Sequence, residues 1–211
     1  MSRGSPPELL VLHAVRLKGF ADDRALAARF ALDEAATTET LLDLQAFGWV
    51  ARSEFAGTGG WSLTDAGRAE GERRLAAELD ACAGAGVVRE VHRVFLPLNA
   101  RLQRACTDWQ LRPTPTDPLA ANDHRDPAWD GRVVGELTDL GAELAGLTAR
   151  LGALLARFGG YDARFAAALG RVRAGDVSWV DRTGADSCHT VWFELHEDLL
   201  ATLGLARGAG A

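Results

Sequence analysis

The stretch Ser187-Cys188-His189-Thr190-Val191-Trp192-Phe193-Glu194-Leu195-His196-Glu197-Asp198 holds two imidazoles, three carboxylates, a thiol and two aromatic rings. Placed on a helix at about 100° per residue, His189, Trp192, Phe193, His196, Leu200 and Leu203 share one stripe. Glu194 and Asp198 fall on the opposite side, which reads as the solvent face, with Glu197 at the edge. Histidines inside an apolar stripe fit three chemistries: core imidazoles bonded to nearby backbone or carboxylates, anchors of a small-ligand pocket, or metal ligands. The i, i+7 spacing is two turns, about 10 Å, too far for one metal without a third element. It is also not the i, i+4 pair of a His-Glu-x-x-His zinc helix. No metal site is expected.

A second polar line lies on residues 87–110. His92, Asn99, Gln103 and Gln110 point within about 20° of one direction on an ideal wheel. Phe95, Leu102, Cys106 and Trp109 flank it. Polar groups in an apolar stripe are costly unless satisfied, so this line is either interhelical hydrogen bonding or the polar floor of a pocket. The loop 111–129 carries Pro113, Pro115, Pro118 and Pro127 together with Asp117, Asn122, Asp123, His124, Asp126 and Trp129. Its spacing is not that of a calcium loop. Asp126-Pro127 and Asp130 read as turn and cap chemistry, with Asp130 capping the next helix. Asn122, His124 and Trp129 read as a lid. The expected ligand-lining set is therefore His92, Asn99, Gln103, Trp109, Asn122, His124, Trp129, His189, Trp192 and His196.

Several functions are excluded or left without a motif. Lys18 is the single lysine and no Gly-rich loop precedes it, so a phosphate-binding P-loop is excluded. There is no Gly-x-Ser-x-Gly elbow. Cys188 and His189 are adjacent, which on a helix points them apart and prevents one activating the other. No catalytic residue or cofactor is assigned. General acid/base work by the His and Asp cluster stays open.

The elements that would position these residues read as mainly α. A chain of 211 residues with 47% hydrophobic content is globular, as one large domain or two small ones. No apolar run approaches the ~18 residues of a membrane span. The N-terminus lacks the apolar core of a signal peptide, and three widely spaced cysteines suggest reduced thiols, so a cytoplasmic location is expected. Apolar spacing predicts helices over 8–18, 24–31 and 33–47, the last two capped by Asp22 or Asp23 and by Asp33. A strand follows over 49–55, a turn over 56–60, a return strand over 61–63 and a helix from 64 to about 80. Gly84-Ala85-Gly86 marks a boundary, giving domains 1–83 and 84–211. The second half is predicted all-α, with helices over 87–110 (kinked or broken near 96 by Pro97), 131–158, 161–174 and 187–204.

Residues 8–80 resemble winged helix-turn-helix regulators of the MarR and PadR kind. The resemblance rests on Leu41-x-x-Leu44-x-x-x-Gly48-Trp49-Val50-x-Arg52, followed by Gly60-Trp61-x-Leu63-Thr64-x-x-Gly67-Arg68. It implies a third helix entering the major groove and a wing on the backbone. By position, Thr37, Thr38 and Glu39 would face bases, and Arg52 and Thr58 phosphates; Arg24 would add a phosphate contact from the second helix. Residues 33–47 contain no Lys or Arg, and residues 1–80 hold 13 acidic against 9 basic residues. The expected function is a ligand-responsive regulator that binds operator DNA as a homodimer, with a small-molecule pocket in the helical half. The alternative is an enzyme or ligand-binding protein whose winged helix no longer binds DNA.

Overall fold

The computed structural model describes residues 2–55 and 57–206, and the chain is mainly helical with one small antiparallel sheet. Helix α1 spans Pro7–Lys18, α2 Asp23–Arg29 and α3 Glu34–Ala46. Strands β1 (Val50–Phe55) and β2 (Thr58–Leu63) pair with Val50 opposite Leu63 and Arg52 opposite Trp61. Helix α4 (Asp65–Ala81) is followed by α5 (Ala85–Gln110), α6 (Pro127–Leu154), α7 (Tyr161–Arg173) and α8 (Cys188–Leu203). Short 3-10 turns lie at Ala156–Phe158 and Val177–Val180. Among the described residues no helix is long and apolar enough to cross a membrane.

Local chemistry sets the boundaries. Asp22 accepts from the backbone N–H of Ala25, Asp33 from Ala36 and Thr64 from Gly67, so each caps a helix whose first N–H groups lack internal partners. Gly48 follows α3 with φ +74°, and the N–H of Trp49 reaches back to the carbonyl of Leu44. This left-handed exit turns the chain into β1. A Cβ on Gly67 would sit 1.8 Å from the carbonyl oxygen of Trp49, so only glycine lets α4 start this close to that backbone.

Three expectations are corrected here. Helix α5 runs through Pro97 unbroken, so of the expected kink or break it is the break that is corrected; Pro97 and Arg93 are exposed, which lets water take the carbonyl that proline cannot serve. Helix α6 begins at Pro127 rather than 131, because Asp126 caps it by accepting from Ala128 and Trp129. Asp130 is thereby released from capping. Strand β2 starts at Thr58, which shortens the expected turn; Ala56 of that turn lies outside the described residues.

The chain divides into two compact units. The first comprises residues up to 88, with 153–157 and the segment from 197. It thus takes in two later pieces of chain beyond the expected boundary at 84. Its core packs Val11, Leu12, Val15, Leu26, Leu41, Leu44, Val50 and Trp61 together. The indole of Trp61 donates to Asp23, which satisfies its buried N–H. The second unit comprises 89–152 and 158–196. Its buried residues include Phe95, Leu102, Leu137, Leu140, Leu144, Tyr161, Phe165 and Trp192.

Candidate functional site

In the second unit the expected ligand-lining residues fall into two groups. The first is His92, Asn99, Trp192 and His196. The Trp192 indole donates to Asn99 Oδ1 at 3.2 Å, and its ring stacks on Phe95 at 5.0 Å. The rings of His92 and His196 lie 6.2 Å apart, and Phe95 touches His196 as well. Burial lowers the pKa of His92, so this half-buried imidazole favours its neutral form. The second group is Trp109, Asn122, His124 and Trp129. Asn122 Nδ2 donates to the Trp109 carbonyl at 3.0 Å and to Asp130 at 2.8 Å. His124 Nδ1 lies 3.0 Å from Asp130, and its ring is 4.6 Å from that of Trp109. The Trp129 indole donates to the Asp108 carbonyl. These contacts fasten the loop to the end of α5. Gln103 is exposed and joins neither group.

The orientation of α8 corrects the wheel reading. His189 is exposed and lies beside Phe193, which is 39% exposed. Glu194 and Asp198, expected in solvent, are 1% and 0% exposed. The wheel assigns both carboxylates to water. Here cations face them instead: Arg164 holds Glu194 at 2.8 Å, and Arg157 holds Asp198. A buried carboxylate with a matched guanidinium is tolerated, and the helix turns accordingly.

Asp198 belongs to a buried charged cluster in the first unit that sequence reasoning missed. His13 Nε2 lies 2.9 Å from Asp198. Arg157 donates to Asp198, to Glu78 at 2.9 Å and to the Thr202 hydroxyl at 2.8 Å. Arg16 bridges Glu72 at 2.6 Å and Glu197 at 2.9 Å. Burial lowers the His13 pKa and outweighs the opposing pull of Asp198, whose charge Arg157 already balances. Burial alone would raise the Asp198 carboxyl, yet Arg157 and His13 hold it well below the usual carboxylate range. The neutral imidazole therefore donates from Nε2, and Nδ1 is left buried without a partner. The available signal was His13 in the middle of the apolar run Leu9–Leu17. Glu78 and Arg157 gave none.

The residues expected to meet DNA all lie in the first unit. Arg24, Arg52 and Thr58 are exposed, the last two on the β1–β2 hairpin. Thr38 is half-buried. Thr37 is corrected: it is 1% exposed, and its hydroxyl donates to the Asp33 carbonyl at 2.7 Å. It faces the core and cannot reach a base. The outer face of α3 and its C-terminal end shows Glu39, Asp43, Leu42 (52% exposed) and Phe47 (67% exposed).

All three thiols are free, and burial pushes Cys106 and Cys188 up to about 12, which leaves both protonated and unreactive near neutrality. No grouping of three or more His, Cys, Asp or Glu suited to a metal occurs among the described residues. Each unit has a surface cleft. One of about 730 Å³ in the first unit lies between the N-terminal segment and α4, with Arg3, Ser5, Leu9, Arg74 and Glu78 on its walls. One of about 450 Å³ in the second lies between α5 and α6. Neither is lined by the expected ligand set. No protein-family model, curated protein or solved structure matches the chain.

Proposed function

We propose that residues 8–80 form a winged helix-turn-helix and that the chain is a ligand-responsive transcriptional regulator. In this reading it binds duplex DNA as a homodimer in the cytoplasm and takes a small molecule in its helical half. The observation that carries the reading is the order α1, α2, α3, β1, β2, α4, with Arg52 and Thr58 exposed on the hairpin and Arg24 exposed in the first turn of α2. In this reading these three side chains meet phosphates, and Thr38 and Glu39 meet base edges. A glutamate accepts from cytosine N4, so the acidic face selects against many sites rather than all of them. The test is fluorescence anisotropy against duplexes tiled across the DNA flanking the gene, over a salt series. Saturable binding that weakens steeply with salt supports the reading; no binding at low ionic strength rejects it.

A second reading is favoured by the α3 face itself. Glu39 and Asp43 beside exposed Leu42 and Phe47 make an acidic, apolar surface on a helix that itself carries no lysine or arginine. Such a surface suits a basic, partly apolar protein partner better than a phosphate backbone. In that case the winged helix is a docking module.

A further inference from the structure

The cleft between α5 and α6 in the second unit is lined by Arg101, Arg104, Asp108, Arg132, Val133 and Glu136, with a volume of about 450 Å³. Arg101, Arg104 and Asp108 follow at i, i+3 and i+7, so they share one face of α5. Arg132 and Glu136 are one turn apart on α6. Three guanidiniums thus converge on one concave surface against two carboxylates, and one of those carboxylates is engaged: Arg101 Nε donates to Glu136 at 2.7 Å. Arg104 forms no ion pair or hydrogen bond through its side chain among the described residues. Arg132 packs over the Trp129 ring at 4.4 Å, and the indole is itself fixed by donating to the Asp108 carbonyl at 2.6 Å. The ring orients this guanidinium without using any of its N–H groups.

Each guanidinium offers five N–H donors in a planar fork. The side-chain hydrogen bonds described around the cleft engage one of them, the Nε of Arg101. A lining with this excess of donors, and with three guanidiniums against two carboxylates, suits a ligand with several anionic oxygens. A carboxylate offers two; a terminal phosphate offers three and pairs with arginine forks bidentately. Ala105 and Val133 provide apolar wall beside the guanidiniums. The volume exceeds what an inorganic anion fills and lies at the lower end of small-molecule pockets.

We propose that this cleft binds a small organic phosphomonoester, with Arg104 and Arg132 gripping the phosphate and the organic part lying toward Ala105 and Val133. The site does not depend on whether the chain binds DNA. It also differs from the pocket expected around the histidines: of that set, only Trp129 takes part, as the platform under Arg132.

Phenyl phosphate serves as probe, titrated calorimetrically into the full chain at low ionic strength. Arg104→Gln and Arg132→Gln alter exposed side chains, so both variants fold; Arg93→Gln, outside the cleft, is the control. Saturable binding that each cleft variant weakens about tenfold or more, while the control retains it, bears the proposal out. A short random-sequence duplex forms the second arm. If the duplex binds through Arg104 and Arg132 while phenyl phosphate does not, the cleft holds a phosphodiester backbone and the proposal falls. It falls equally if phenyl phosphate gives no saturable heat, or if the cleft variants bind it as the control does. Loss of duplex binding on Arg52→Gln alone bears on the DNA reading and leaves this one untouched.

Discussion

His13 Nε2 and Asp198 Oδ1 sit 2.9 Å apart across 185 residues of chain, with both side chains almost wholly buried. The pair sets a pH response. The folded His13 pKa lies below its ordinary value of 6.5, because burial disfavours the imidazolium. Below that value the unfolded chain takes up a proton that the folded chain resists, so stability falls as pH drops through about 6.5. His92 adds to the trend in the same direction. Asp198, with its folded pKa depressed, contributes stability above its ordinary 3.8 and loses it only at lower pH. Urea unfolding between pH 7.5 and 5.5, taken as about the range of imidazole titration, should therefore show a falling midpoint. His13→Leu should flatten that slope; an unchanged slope would mean that His13 is not the responding group.

Arg157 holds two buried carboxylates, Glu78 and Asp198, with its own side chain fully shielded. Replacing it by Met takes away the guanidinium that faces both carboxylates. A loss of about 3–5 kcal/mol is expected from equilibrium denaturation. Arg73→Met removes an exposed partner of Glu70 and should leave the midpoint where it is. Equal effects from the two substitutions would contradict the burial argument.

For DNA, Arg52→Gln should weaken duplex binding and lower the slope of log affinity against log salt by about 1. Thr37→Val should leave binding unaltered, since that hydroxyl serves the Asp33 carbonyl, and should cost about 1 kcal/mol of stability. If Thr37→Val alone abolished binding in a folded protein, the placement of α3 would be wrong.

Neutralising the outer face of α3 separates the two proposed functions. Glu39→Gln with Asp43→Asn should strengthen non-specific duplex binding if α3 lies against DNA, since two repulsive charges disappear. Under the docking reading the same change should leave DNA untouched and weaken capture of a basic partner. Anisotropy and pull-down measurements on the same double variant decide between them.

Much of the element order could be read from the residues themselves. Caps at Asp22 and Asp33 and the Gly48 exit act within a few positions, so local chemistry is enough. The Asp126–Asp130 region was read less well because two carboxylates compete to cap one helix, and proline at the first helical position decides in favour of Asp126. The facing of α8 could be read only in part: Trp192 and Leu200 are buried as expected, whereas His189 is exposed and Glu194 and Asp198 are buried. It depends on Arg157 and Arg164, which meet Asp198 and Glu194 only once distant segments pack, and nothing in a helical wheel records them. The candidate ligand residues fared in between: His92, Asn99, Trp192 and His196 converge, whereas Gln103 and His189 do not. The arginines of the α5–α6 cleft carried no motif, because three separate guanidiniums on helix surfaces look like ordinary solvated charge.

The first unit is drawn from three stretches of chain, with 153–157 and the segment from 197 joining the N-terminal part. Its interior therefore has an order of delivery. As the ribosome works from the N-terminus, His13, Arg16 and Glu78 emerge long before Arg157, Glu197 and Asp198 exist to neutralise them. Until they do, the N-terminal segment carries buried-to-be polar side chains whose partners lie far along the chain. The N-terminal part of this unit is therefore made well before the segments that complete it.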